Sequence, residues 1–401
     1  MWLQLTTAQP RSPGPGPSVW DCSLSFLWLV AMALTLLLPS PVLADDAATR
    51  GGGGARVDVY TDGEVTVQAP QVRVTAPVGD KASFTGGYLV NIISGATPVL
   101  TVDIISSATE FSDVRHALDL SVTGSITEHS RLGGSYAASL ESDYISHGPG
   151  ITVSTDISGG MTTLTAGYRL SFERVGAASR QAVLDHGHGH EFDFSWVQIL
   201  GRRTRLNLLL SLKMNLCGEL LGCHANPYRY VAVRSDDGGL VAVREHHPDQ
   251  RARLAVALRL SQALATNLAL HGGYRFYIDS WQVSAHTADL SLSLALLQER
   301  LMLRTTGRFT WQSAASFYRD SYVGESGPLT VPSWRTADRE LSGLWDVMVS
   351  GQAELNFFSL GPFARLSPSI RVSHTWYRYP NYSELPSRNA WLIGGGLDVS
   401  M

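Results

Sequence analysis

The chain has 401 residues, 44% of them hydrophobic and 16% charged, a formal net charge of −4 and a mean hydropathy of +0.01. These values exclude a helical membrane protein, which needs several apolar runs of about 20 residues, and they carry no pointer to nucleic acid. No Gly-rich phosphate loop precedes a helix, and no zinc-type Cys/His spacing occurs.

One continuous apolar run, Leu24 to Leu38, is followed by Pro39, Pro41 and Val42-Leu43-Ala44, with Asp45-Asp46 beyond. An apolar core before small residues predicts a secretory signal peptide over residues 1–44, cleaved after Ala44, with an N-terminal membrane anchor as the alternative. Residues 45–55 then read as a flexible linker and 56–401 as one barrel domain.

Arg56–Thr61 opens a strand that turns at Asp62-Gly63. In Val65–Ala76 the apolar parity changes at Ala69-Pro70, which predicts a bulge there. Ala82–Ser94 is the next strand, Gly95–Val114 a long segment, and Arg115–Ser125 and Arg131–Ser142 two further strands. Asp143–Gly150 reads as a loop, Ile151–Ile157 and Thr162–Phe172 as strands around Gly159-Gly160, and Glu173–His190 as a second loop. Phe192, Phe194 and Trp196 then alternate with polar neighbours.

Arg205–Leu216, RLNLLLSLKMNL, is the clearest unit. Leu206, Leu208, Leu210, Leu212, Met214 and Leu216 share one parity, and all but Leu209 of the other set are polar. A period of two over this length predicts a strand with one apolar and one polar face, long enough to cross a bilayer at a tilt. After the longest loop, Cys217–Pro248, the same pattern returns around Leu254–Leu260, Leu268–Phe276, Leu290–Leu294 and Leu301–Trp311. A loop over Ser313–Thr336 precedes strands near Glu340–Leu355, Arg365–Tyr377 and Ala390–Met401.

Short turns alternating with long loops predict an all-β, transmembrane, antiparallel up-and-down β-barrel. About 16 strands (14–16) are expected, with both termini periplasmic. Aromatics near strand ends (Phe192, Trp196, Phe309, Trp311, Trp376, Trp391) fit interfacial girdles. A soluble sandwich is the competing architecture. No segment reads as a plug domain. The last residue is Met401, where such barrels usually end on an aromatic that the assembly machinery reads.

Four stretches resemble the family called domain of unknown function 3570: Val74–Pro98, Asn226–Tyr230, Tyr274–Trp281 with Ala285–Thr287, and Ser313–Tyr318. The resemblance implies a barrel in the Gram-negative outer membrane, with outer-membrane lipid and the barrel assembly machinery as partners. It implies no catalytic residue.

Four groups of residues invite chemistry. Cys217 and Cys223, isolated in CGELLGC, predict a loop disulfide, with a metal site including His224 as the alternative. His186, His188 and His190 have a spacing that can share a metal, or belong to a polar external loop. Asp279 and His286 with nearby serines sketch a hydrolase, but no nucleophile elbow is present. Arg205, Lys213, Arg251, Arg253, Arg259, Arg275, Arg304 and Arg308 fall on polar strand faces and predict a basic lumen. Such a lumen either favours small anions or carries arginine–carboxylate ladders that brace the wall. A porin-like channel without cofactor or metal is therefore the leading expectation. The alternatives are a closed structural or partner-binding barrel of an envelope complex and, less favoured, a barrel-embedded hydrolase.

Overall fold

The computed structural model describes residues 51–97, 109–177, 182–224, 229–234, 239–324, 331–356, 358–359 and 365–400. The expected signal peptide, its cleavage point at Ala44 and most of the expected linker lie outside these residues.

The barrel strands are β1 (Gly52–Thr61), β2 (Val65–Val78), β3 (Ala82–Thr97), β4 (Thr109–Ser125), β5 (Ser130–Leu140) and β6 (Tyr144–Ile157). They continue as β7 (Thr162–Ala177), β8 (Ala182–Gly201), β9 (Thr204–Cys217), β10 (Gln250–Ala265) and β11 (Leu268–Asp279). The last are β12 (Ser284–Leu296), β13 (Leu301–Gln312), β14 (Leu344–Leu355), β15 (Arg365–Arg378) and β16 (Ser387–Ser400). Each pairs antiparallel with its neighbours, and β16 returns to β1 from Gly52↔Ser400 to Thr61↔Trp391, which closes the cylinder. A two-residue strand, Phe358–Ser359, pairs with the start of β15. The fold is thus a sixteen-strand up-and-down barrel, as the alternation predicts.

Closure leaves no strand of the wall as an exposed edge, which is what a bilayer-spanning sheet requires. The side chains are arranged inside out relative to a soluble protein. Leu290 is 58% exposed, Ile370 55% and Ile393 52%, all on the outer face. Arg251, Asp279 and Asp346 point into the lumen and are largely covered. An exposed apolar wall around a polar interior is the signature of a membrane-spanning barrel, and it rules out the sandwich.

Several boundaries differ from expectation, for identifiable reasons. The Asp143–Gly150 loop is strand: β6 starts at Tyr144. Its alternation is hidden because Ser146, Gly148 and Gly150 face inward against Ile145, His147 and Pro149. Gly148 permits a close approach of β7, since a Cβ there would lie 1.8 Å from the Leu170 carbonyl oxygen. The Glu173–His190 loop likewise divides between β7, running to Ala177, and β8, starting at Ala182. The segment after Ser94 loses its ends to β3 and β4, and β1 begins at Gly52 rather than Arg56. No bulge occurs at Ala69-Pro70. The pairing of β2 with β1 is continuous there, and with β3 it resumes in unchanged register, Gln68↔Ile92 to Gln71↔Leu89. The apparent slip arises because Val65, Val67 and Ala69 are apolar residues on the lumen side.

The turns at the end shared with the chain termini are short, such as 79–81, 202–203 and 266–267. The opposite end carries the two long connections, 218–249 and 313–343. They are not open loops. Tyr230–Arg234 pairs antiparallel with Leu240–Arg244 and parallel with Tyr322–Val323, so the two connections share one small sheet. Cys217 and Cys223 are bonded at the base of the first. We propose that this bond forms in the exported protein, and labelling of denatured, unreduced chain with a thiol reagent should then find no free cysteine in residues 45–401. Two labelled thiols per chain would sink the idea.

Candidate functional site: the lumen and its lid

The eight basic residues expected in the lumen all take inward positions, and the structure divides them into two sets. In the first, charge is met by a carboxylate: Arg251 with Asp279 at 2.6 Å, Arg308 with Asp346 at 3.8 Å and Lys213 with Glu191 at 3.9 Å. Arg371 with Asp58 (3.1 Å) and Arg388 with Asp62 (2.8 Å) brace the wall in the same way. In the second set no carboxylate lies within ion-pair distance among the described residues. Arg304 donates to Ser293 Oγ at 3.0 Å, Arg275 lies over the Tyr277 ring, and Arg253 donates to Asn215 and to His224 Nε2. Arg205 and Arg259 are solvent-exposed on the lumen wall. Near the short-turn end, Arg304, Arg365, Glu354, Asn267 and Ser293 line a cavity of about 770 Å³.

The mouth at the other end is built by the two long connections. Glu245 and Thr336 join them: the Thr336 hydroxyl and the Ala337 N–H both donate to Glu245 Oε1 at 3.0 Å. His246 bridges to Arg335, and Arg229 is ion-paired with Asp338. On one side the assembly is anchored to β8, where Asp185 Oδ2 accepts from the Leu221 N–H at 3.0 Å. On the other, Arg339 meets Glu64 in the β1–β2 turn at 3.5 Å, and Glu340 meets Arg388 of β16 at 3.6 Å. In a sixteen-strand cycle β8 and β16 are diametrically opposed. The connections therefore form a lid over the half of the mouth from β8 round to β1. No segment of the sequence reads as a plug domain, and the cover over this half of the mouth comes from the two connections.

The lid has its own core. Trp281, Val283, Phe317, Tyr318, Leu341 and Cys223 are each at most 9% exposed. Trp281 comes from the β11–β12 turn and holds the lid to the wall. Its ring lies 4.0 Å beneath the Arg251 guanidinium and 5.2 Å edge-on to Phe317, and its Nε1–H donates to the Gln250 carbonyl at 3.0 Å. The stretches Tyr274–Trp281 and Ser313–Tyr318, singled out above by resemblance, thus meet in one cluster. Asp279 accepts from Arg251, from the Tyr277 hydroxyl at 2.9 Å, and from the N–H groups of Trp281 and Val283. With its carboxylate so engaged, and with His286 on the outer wall, the two residues are not brought together as a hydrolytic site would require.

His186, His188 and His190 lie on β8, not in a loop. All three face outward, and no cluster of described metal-ligating side chains includes them. His247, which the sequence offers only as one more histidine of a loop able to hold a metal, is 2% exposed in the lid. Its Nδ1–H donates to the Cys223 carbonyl at 3.0 Å, and Trp281 and Phe317 flank the ring. Its Nε2 faces Glu245 Oε2 at 3.8 Å, too long for a hydrogen bond, and neither atom has another partner among the described residues. Burial pushes the imidazole down to about 4 and the Glu245 carboxyl up, so the two are not an ion pair at neutral pH.

The consequences for pH oppose one another. Above pH 6.5 His247 is neutral in closed and open lids alike. As pH falls from 6.5 to 4 an opened lid takes up the proton first, which weakens closure by at most about 3 kcal/mol. Glu245 takes up its proton earlier in the closed lid and so favours closure on acidification. Removing that opposition in Glu245→Gln should expose the histidine. Hydrogen exchange of 218–249 and 313–343, corrected for intrinsic rates, should then rise between pH 7 and 4.5, and His247→Phe should flatten the response. No rise in Glu245→Gln would refute this account.

The family model described as "Protein of unknown function (DUF3570)" matches residues 106–350. No curated protein matches the sequence. Among solved structures, a bacterial polysaccharide outer membrane secretin aligns with TM-score 0.46 and 9% identity over 86% of this chain and 97% of that one. The TodX monoaromatic hydrocarbon channel aligns with 0.44 and 11% over 89% and 90%. The outer membrane protein opdK from Pseudomonas aeruginosa aligns with 0.42 and 9% over 90% and 100%. At such values the likeness bears on neither solute nor mechanism.

Proposed function

The chain belongs to the protein family of unknown function DUF3570, and from that premise and the lumen geometry we propose a lidded outer-membrane channel for small anions, not an enzyme, with both termini periplasmic. The observation that carries the reading is the set of lumen guanidiniums without a carboxylate, Arg205, Arg259, Arg275 and Arg304, all exposed on the inner wall. Like charges on neighbouring strands about 4.8 Å apart repel unless solvent or a bound anion offsets them. A wall built only for bracing would pair each arginine, as Arg251, Arg371 and Arg388 are paired. Small anions are therefore the partners proposed, alongside membrane lipid and the assembly machinery.

A second reading, a structural or partner-binding barrel with a closed mouth, draws support from the lid. Recordings in planar bilayers separate the two. The channel predicts stepwise conductance with a reversal potential favouring anions in a salt gradient. The preference should fade near 1 M salt, where screening falls to about 3 Å. Arg205→Glu/Arg259→Glu should shift it towards cations. A silent bilayer favours the closed barrel, and cation preference in the unmodified protein rejects the anion reading.

A further inference from the structure

The outer wall carries a repeated polar pair where lipid would be expected to meet only apolar groups. Tyr88 of β3 bonds His116 Nδ1 of β4 at 2.7 Å, and Tyr136 of β5 bonds His147 of β6 at 3.2 Å. Tyr168 of β7 bonds His190 of β8 at 2.8 Å, and Tyr274 of β11 bonds His286 of β12 at 2.6 Å. Each tyrosine stands six residues after the first residue of its strand: Ala82, Ser130, Thr162 and Leu268. Each histidine is the diagonal neighbour one pleat nearer the loops, since Tyr88 is opposite Leu118, Tyr136 opposite Pro149, Tyr168 opposite Phe192 and Tyr274 opposite Ala288.

Six residues correspond to about 20 Å along a strand, or roughly 15 Å of height at a tilt near 40°. The histidines lie two residues higher, near the outer rim of an apolar band about 25 Å tall. Aromatics mark the same level: Trp311 packs on His286 at 5.7 Å, and His374 sits 4.2 Å from both Trp376 and Trp391. The four pairs thus form a belt at the loop-end interface.

The chemistry of the belt has a sign. A tyrosine hydroxyl that donates to Nδ1 leaves the ring proton on Nε2, which has no hydrogen-bond acceptor among the described residues, and a protonated ring presents the same donor. Two fixed cations share the outer face above it, Arg174 on β7 and Arg378 on β15, both exposed. Among the described side chains, no carboxylate occupies an outward strand position. N–H donors and cations on the outer wall fit an anion held at head-group depth.

We propose that this belt binds the phosphate of anionic membrane lipid, fixing the depth and tilt of the barrel at its loop end. The inference needs only the membrane-spanning fold and is independent of whether the lumen conducts.

The test uses the full mature barrel in phosphatidylcholine nanodiscs containing phosphatidylglycerol, with retained lipid counted by native mass spectrometry at pH 6. The protein should retain phosphatidylglycerol several-fold above its bulk share. H116F/H147F/H190F/H286F, checked for heat-modifiable folding, should return retention to the bulk ratio. If that variant does not assemble, Y88F/Y136F/Y168F/Y274F, which frees the imidazoles from their orienting partner, should reduce the enrichment instead. Retention at the bulk ratio by the unmodified protein would overturn the proposal, as would unchanged enrichment in an assembled variant. Displacement of the lipid by millimolar inorganic phosphate would also overturn it, by revealing a site for free anion.

Discussion

Asp279→Ala should destabilise the loop end of the barrel by about 3–5 kcal/mol, the range for removing one member of a buried ion pair. The Asp279 side chain is 0% exposed and that of Arg251 13%, so alanine would leave a guanidinium without its counter-charge. The loss extends further. The same carboxylate caps the β11–β12 turn through the N–H groups of Trp281 and Val283, both 2% exposed, and that turn carries the tryptophan on which the lid packs. Limited proteolysis of the folded variant should cut within 218–249 and 313–343 under conditions where the unmodified protein resists. Asp279→Asn, which keeps an acceptor but no charge, should fall between the two. Wild-type resistance and unfolding in Asp279→Ala would show that the pair is dispensable and that the lid is held elsewhere.

Leu208→Arg should block assembly far more severely than Asn207→Arg. Leu208 lies opposite Trp196 on β8 and Leu258 on β10, and Leu258 is 46% exposed on the outer wall. Asn207 lies opposite Arg259 and faces the lumen. Arginine at a lipid-facing midplane position costs about 2–4 kcal/mol, whereas a lumen position is solvated. Val256 and Leu303 share the outward parity of Leu208, and Arg253 and Arg304 the inward parity of Asn207. The fraction of chain that becomes heat-modifiable on folding into vesicles measures the difference. Equal yields for the two variants would place both residues in the same environment and invalidate the register of β9.

The sequence alone determined the fold class, because a bilayer-spanning strand must alternate, and Arg205–Leu216 states that alternation almost without interruption. It also pointed to the lumen face, by gathering Arg205, Arg251, Arg253 and Arg259 on one parity, since arginine at a lipid-facing midplane position is costly. It failed where small residues conceal the period. Ser146, Gly148 and Gly150 erase the polar–apolar contrast at the start of β6, so a strand reads as a loop. It also failed where glycines and histidines alternate in β8: histidine's polarity reads as a loop exposed to water, although these rings sit on the outer face of a strand.

Tertiary structure decided what the inward arginines meet. Arg251 and Arg259 are indistinguishable by parity, yet one is locked to Asp279 and the other stays solvent-exposed, because an ion pair depends on cross-strand register and on the length of the neighbouring side chain. The lid was equally closed to sequence reasoning. Of its two halves, the first, 218–249, carries an antiparallel pair of its own, Tyr230–Arg234 with Leu240–Arg244, and the second, 313–343, joins it through Tyr322–Val323. The contacts that hold them, Glu245 with Thr336 and Trp281 with Phe317, join residues far apart in the chain, which only closure of the barrel brings to one mouth.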